Sequence, residues 1–159
     1  MKTPPPAPAL PTLDDMPGHT IRRLQQIAVG IFMDETSALN ITPVQFAMLF
    51  AAAQQAGLDQ RTLAGKVGLD TSTIGAVVDR LEGRALIERK VSPDDKRVRL
   101  LSVTPAGLDL LNTAMPAMLA AQERMLAPLP PADRPVFMAM VKSIVEQNGA
   151  WSRGAKEAG

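Results

Sequence analysis

Apolar residues recur along this chain first every three or four positions, then every second position, then every three or four again. Leu24, Ile27, Ala28 and Ile31 keep the helical spacing, with Asp15 as a cap before them and Pro17 in the first turn. A first helix is therefore predicted from about Asp15 to Leu39. Thr42-Pro43-Val44-Gln45 is a capping box with proline at the first helical position. It starts a second helix with Phe46, Leu49 and Phe50 as its core, ending near Gly57, where a left-handed cap fits.

The stretch from Asp59 to Arg99 organises the rest. Leu63, Ala64 and Val67 make a short apolar face, Gly68 ends that helix, and Asp70 offers a cap for the next. There Ile74, Val77, Val78 and Leu81 fall at i, i+3, i+4 and i+7, one buried stripe. The opposite face holds only short or polar residues, Ser72, Thr73, Gly75, Ala76, Asp79 and Arg80. Short side chains let a backbone approach another large body closely, and a DNA groove is such a body. The spacing then turns to strands at Leu86–Val91 and Val98–Val103, joined by the turn-forming Ser92-Pro93-Asp94-Asp95-Lys96-Arg97. Thr104-Pro105 restarts a helix along Leu108, Leu111, Met115 and Met118, which Pro116 is expected to kink or interrupt. After Leu129-Pro130-Pro131, a last helix carries Phe137, Met140, Val141, Ile144 and Val145. Residues 1–14 form a proline-rich arm without helical period, expected to be extended or disordered, and residues 149–159 a frayed tail.

Composition narrows the possibilities. A chain of 159 residues, 46% hydrophobic and 21% charged, suits one globular domain. With no cysteine, it has no disulfide framework, thiolate metal site or thiol switch. One histidine and no clustered acids leave no catalytic set, so neither an enzyme nor a cofactor is expected. There is no apolar run of membrane-spanning length and no signal-peptide pattern, so a cytoplasmic protein without a membrane partner is expected. The formal charge is only +1, yet six basic residues oppose three acidic ones from Arg84 to Arg99. Any case for nucleic acid must rest on that distribution.

The order helix, turn, helix, followed by DRLEGRALIERKVSPDDKRVRLLSVTPAG, resembles the winged helix-turn-helix of the MarR family of transcriptional regulators. The resemblance runs from about Pro17 to Asn148. It implies a mainly α fold with a small β-hairpin wing. Within a single domain over 15–148, the winged helix-turn-helix takes about 42–103, and helices at 15–39 and 104–148 build a dimerisation region. Apolar residues at both ends, among them Ile21, Ile27, Met118, Met140 and Ile144, suit a homodimer; closing a monomer core is the other reading. A two-fold protein reads a palindromic operator with recognition helices ~34 Å apart.

By resemblance, the candidate contacts to double-stranded DNA are Thr71, Ser72, Thr73, Ala76 and Arg80 on the second motif helix, and Asp95, Lys96 and Arg97 at the wing tip. Ser72 and Thr73 have a plainer reading as capping residues, and Arg80 as a solvated partner of Asp79 or Glu82. Asp95-Lys96-Arg97 matches the family's Asp-x-Arg, in which the carboxylate orients an arginine that enters the minor groove. Ser92-Pro93 stands where the family usually has Asp-Pro, a change bearing on loop capping. The resemblance also implies repression relieved by a small aromatic acid. PGHTIRRLQQIAVGIFMDE is similar to family repressors of nicotinate catabolism, which suggests a hydroxylated pyridine or benzene carboxylate. His19 and Arg22, one turn apart, are the candidate carboxylate ligands, the alternative being two solvent-facing residues at a helix start. A winged helix serving as a protein-interaction module without DNA is the competing function.

Overall fold

The computed structural model describes Leu10 and residues 12–151. Most of the expected proline-rich arm, and the tail beyond Trp151, lie outside the described residues. Where description begins, Thr12 and Asp15 close a 3-10 turn over Leu13–Asp15 through two hydrogen bonds to the Asp15 carboxylate, from the Thr12 amide at 3.1 Å and its hydroxyl at 2.7 Å. Asp15 is thereby engaged backwards along the chain and does not cap the first helix, contrary to the sequence expectation. That helix, α1, spans Pro17–Glu35 and is followed by a separate 3-10 turn at Ser37–Leu39.

Helix α2, Pro43–Gln54, starts at the capping box. The Gln45 amide donates to Thr42 Oγ1 at 3.2 Å, and the Thr42 amide donates back to Gln45 Oε1 at 3.0 Å. The helix stops at Gln54, before the expected Gly57, which does lie in the left-handed region at φ +77°. Phe46 and Leu49 are buried, but Phe50 is half exposed and stacks on Phe46 with ring centroids 5.9 Å apart.

The chain then makes a two-residue strand, β1 (Leu58–Asp59), which the sequence did not suggest. It leads into α3 (Gln60–Val67), Gly68 at φ +69°, and α4 (Thr71–Gly83). The hairpin follows as β2 (Ile87–Val91) and β3 (Arg99–Val103). The antiparallel sheet runs β1-β3-β2, with Leu58 opposite Leu101 and Arg89 opposite Leu101 on its other side. Helix α5, Pro105–Leu126, passes through Pro116 without interruption. Pro116 and Asn112, whose carbonyl loses its usual donor, are both exposed residues. Helix α6 spans Arg134–Gln147.

Ile41, Met48, Leu49, Leu63, Ile74, Val78, Leu81, Ile87 and Leu101 are essentially inaccessible and form the core between α2, α3, α4 and the sheet. Burial of each large aliphatic side chain stabilises by about 1.5–3 kcal/mol. Phe32 from α1, with Leu111, Ala114 and Ala121 from α5, extends that core to the long helices, while Leu108 on the expected face of α5 is exposed. Arg124 of α5 reaches back to Glu35 at 3.0 Å and also bonds Asp34, tying α5 to the end of α1. Among the described residues no helix is long and apolar enough to cross a membrane.

Candidate nucleic-acid interface

The buried stripe of α4 fixes which side chains it can offer outward. With Ile74, Val78 and Leu81 fully inside, Ser72, Thr73, Ala76, Asp79 and Arg80 come to the exposed face. Thr71 opens the helix. At its start the Asp70 carboxylate accepts from the Thr73 amide at 2.7 Å and from the Ser72 hydroxyl at 2.6 Å. Ser72 thus takes part in the cap while remaining an exposed residue.

Arg80 is exposed, and the alternative reading of it as a partner of Asp79 or Glu82 finds no such ion pair among the described residues. Both carboxylates are taken by Arg89 of β2, whose Nη1 lies 2.7 Å from Glu82 Oε2 and whose Nη2 pairs with Asp79. The Arg89 side chain is three-quarters buried, whereas Asp79 and Glu82 keep much of their side chains in water, so this clamp between hairpin and α4 is partly solvated. Arg80 is left facing outward.

The hairpin tip is held by short backbone loops rather than by charge pairs. Ser92 is buried, and its hydroxyl accepts from the amides of Asp94 and Asp95 at 3.3 and 3.4 Å. The Asp95 carboxylate accepts from the backbone N–H of Arg97 at 2.9 Å, and the Val98 amide donates to the Asp95 carbonyl at 2.9 Å. Asp95 therefore fixes where the Arg97 main chain turns, and the guanidinium makes no ion pair among the described residues. Asp95, Lys96 and Arg97 are all exposed. Arg99 Nη1 donates to the Lys96 carbonyl at 2.8 Å, a further brace.

Beside the tip, Asp59, Gln60, Arg61, Arg97, Val98 and Arg99 line a cleft of about 480 Å³. Sequence reasoning missed Arg61, Arg89 and Arg99. The first and last become neighbours only through β1, which is too short to leave an alternation in the sequence. Arg89 could have been found from its place one strand away from two acids spaced i, i+3 on α4.

Apart from that cleft, Ile21, Leu24, Phe137, Met140, Val141, Ile144 and Val145, with Thr20, line an apolar groove of about 390 Å³ between α1 and α6. His19 is half-buried and Arg22 exposed; neither lines that groove. Arg23 pairs with Asp14 at 2.9 Å over an adjacent hollow.

Two helices joined by a glycine turn, the second exposing small side chains and followed by a hairpin with a basic tip, define a winged helix-turn-helix, a DNA-binding architecture. The MarR family profile matches residues 41–98, which are α2 through the hairpin tip. The protein assigned to regulation of the hcr operon in Thauera aromatica is 31% identical over 141 residues, covering 88% of this chain and 85% of its own. Among solved structures, the transcriptional repressor CouR bound to a 23-mer DNA duplex superposes with a TM-score of 0.79 at 27% identity, over 84% of this chain and 94% of its own. BpsR of Bordetella bronchiseptica, whose DNA binding is regulated by 6-hydroxynicotinic acid, superposes at 0.81 with 25% identity, over 86% and 97% of the two chains. The chain belongs to the MarR family of DNA-binding transcriptional regulators, which are not enzymes.

Proposed function

We propose that the protein is a homodimeric repressor that reads a palindromic operator through α4 and the β2–β3 wing and leaves it when a small aromatic acid binds. The observation that carries this is the state of α6. None of its residues is buried, while Val136, Met140, Ile144 and Val145 expose more than half their surface, and Ile21 and Ile27 of α1 do the same. A contiguous apolar face of this kind is far costlier in water than scattered exposed residues, and a second copy of the same helices would cover it.

In that dimer, Thr71, Ser72, Thr73, Ala76 and Arg80 would meet the major groove, and Lys96 and Arg97, held by Asp95, the adjacent minor groove. CouR, a repressor captured on a duplex, supports repression, and BpsR supports an acid effector. A hydroxylated pyridine or benzene carboxylate would bring its carboxylate to His19 and Arg22, one turn apart on α1. Release requires the acid to bind one conformation better than the other.

The test begins with mass measurement in solution, which should give two chains; Met140→Glu with Ile144→Glu should give one chain and lose the operator. Titration of 6-hydroxynicotinate and hydroxybenzoates into the protein–duplex complex should release the DNA. A monomeric wild-type protein with no preference for inverted repeats would overturn the proposal, and a complex indifferent to all these acids would remove the effector from it.

A further inference from the structure

Arg61 and Arg99, which neither the exposed face of α4 nor the wing tip accounts for, meet Arg97 in one cleft. Strand β1 pairs Asp59 with Leu100 and Leu58 with Leu101, and the Gly57 amide donates to the Leu101 carbonyl at 3.1 Å. This stitching fixes the start of α3 against the start of β3. Arg61 on one element and Arg99 on the other therefore face a common cleft, with Arg97 at its outer edge.

Asp59 is the one acid in that lining. Its carboxylate is engaged in capping α3, accepting from the Thr62 amide and hydroxyl, both at 2.8 Å. Among the residues that line the cleft, three arginines stand against this one committed carboxylate, and the N-terminal end of the eight-residue α3 adds the favourable end of its dipole. Arg99 is held by the Lys96 carbonyl through one nitrogen, which leaves the rest of its fork for an oxyanion. The cleft is open and beside the wing, where the backbone of a duplex must pass if Arg97 enters a minor groove.

We propose that this cleft seats a backbone phosphate of the bound duplex, with Arg61 and Arg99 as its ligands, and so sets how deeply the wing sits. The inference rests on DNA binding through the wing. A phosphate contact carries no sequence information, so these two arginines supply affinity and placement while Arg97 supplies preference.

The experiment compares Arg61→Gln, Arg99→Gln and Arg97→Ala in the full chain, on an operator duplex selected from a random pool and on a scrambled duplex, across a salt series. Arg61→Gln should weaken both duplexes by the same factor, about tenfold, and lower the slope of log affinity against log salt by about one for each copy of the chain bound. Arg99→Gln should do the same, with Arg99→Lys restoring the slope because the charge returns. Arg97→Ala should instead reduce the ratio between the two duplexes. An unchanged slope in Arg61→Gln, or a loss confined to the operator, overturns the inference while leaving wing binding intact; a wild-type protein that retains neither duplex overturns both.

Discussion

Arg89 and Glu82 meet at 2.7 Å, and through its second terminal nitrogen the same guanidinium pairs with Asp79, so one side chain of the hairpin grips two acids a turn apart on α4. The wing and the recognition helix are thereby held as one piece, which a protein reading two grooves at once requires. Replacing Arg89 by Met removes the grip and leaves two like charges adjacent. The partners are partly solvated, so the stability cost in urea unfolding should be only about 1 kcal/mol. Duplex affinity should fall further, by about tenfold, because the two reading elements lose their common frame. Arg89→Lys should restore only part, since an ammonium lacks the planar fork. Equal affinity of Arg89→Met and wild type would show that the grip has no bearing on DNA.

At the wing tip, charge counting and geometry predict opposite signs. Removing the Asp95 carboxylate takes a negative charge away from phosphate, which on electrostatics alone should strengthen binding. Yet that carboxylate holds the Arg97 amide at 2.9 Å. Asp95→Ala should therefore weaken binding, Asp95→Asn should retain most of it because an amide oxygen still accepts, and Arg97→Ala should cost on the order of 1–3 kcal/mol. Fluorescence anisotropy on one operator duplex ranks all three, and a tighter Asp95→Ala complex would return the loop to a simple charge patch.

The features legible in the sequence are those in which a local chemical signal and the fold agree. Thr42 with Gln45, Asp70, Gly68 and Thr104-Pro105 each act within a few residues, and each is found where its chemistry implies. The two hairpin strands were likewise readable. What escaped depends on partners far along the chain or on competition for one group. Asp15 had a nearer partner in Thr12, Phe50 sits at the edge of the face that Phe46 and Leu49 fill, and Pro116 lies where an open carbonyl is tolerated. Arg61 and Arg99 are 38 positions apart and meet only through a two-residue strand. At the candidate DNA face, residue types could be read but not their engagements: the partner of Asp79 and Glu82 proved to be Arg89 and not Arg80.

Among the described glycines, Gly107 is the one at which an added Cβ would meet the closest obstacle. A Cβ there would stand 2.2 Å from the Leu86 carbonyl oxygen and 2.7 Å from Val103 Cγ1. The approach exists because Thr104 donates its hydroxyl to the Ala85 carbonyl at 2.6 Å and its amide to the Leu86 carbonyl at 3.1 Å, drawing the start of α5 onto the turn before β2. Since the obstacle is backbone, it cannot rotate away. Gly107→Ala should destabilise by about 2–3 kcal/mol, the range of an overpacked core. Gly65→Ala, inside α3 with nothing within 4 Å of the added atom, should stabilise by about 0.5–1 kcal/mol. Thermal unfolding of the pair checks both signs, and a stabilising Gly107→Ala would show that α5 is free to shift.

The Asp59 cap makes a prediction in pH. The Thr62 amide, against a smaller effect of burial and helped by the Thr62 hydroxyl, holds the Asp59 carboxyl below its ordinary range. A group whose pKa is lowered by folding binds its proton more readily when unfolded, so its ionised form stabilises the native state above the unfolded pKa. That contribution fades as pH falls through the folded one. Asp59→Ala should therefore cost about 1 kcal/mol at pH 7, the usual worth of an N-cap. The gap between the two proteins should narrow steadily between about pH 4 and pH 2. Asp59→Asn keeps one acceptor oxygen for the Thr62 amide and does not titrate, so its difference from Asp59→Ala should stay level across that interval. Urea unfolding of the three proteins at closely spaced pH gives the comparison, and a wild-type-to-Ala gap that does not narrow in acid would mean that the Thr62 bonds do not depend on the carboxylate charge.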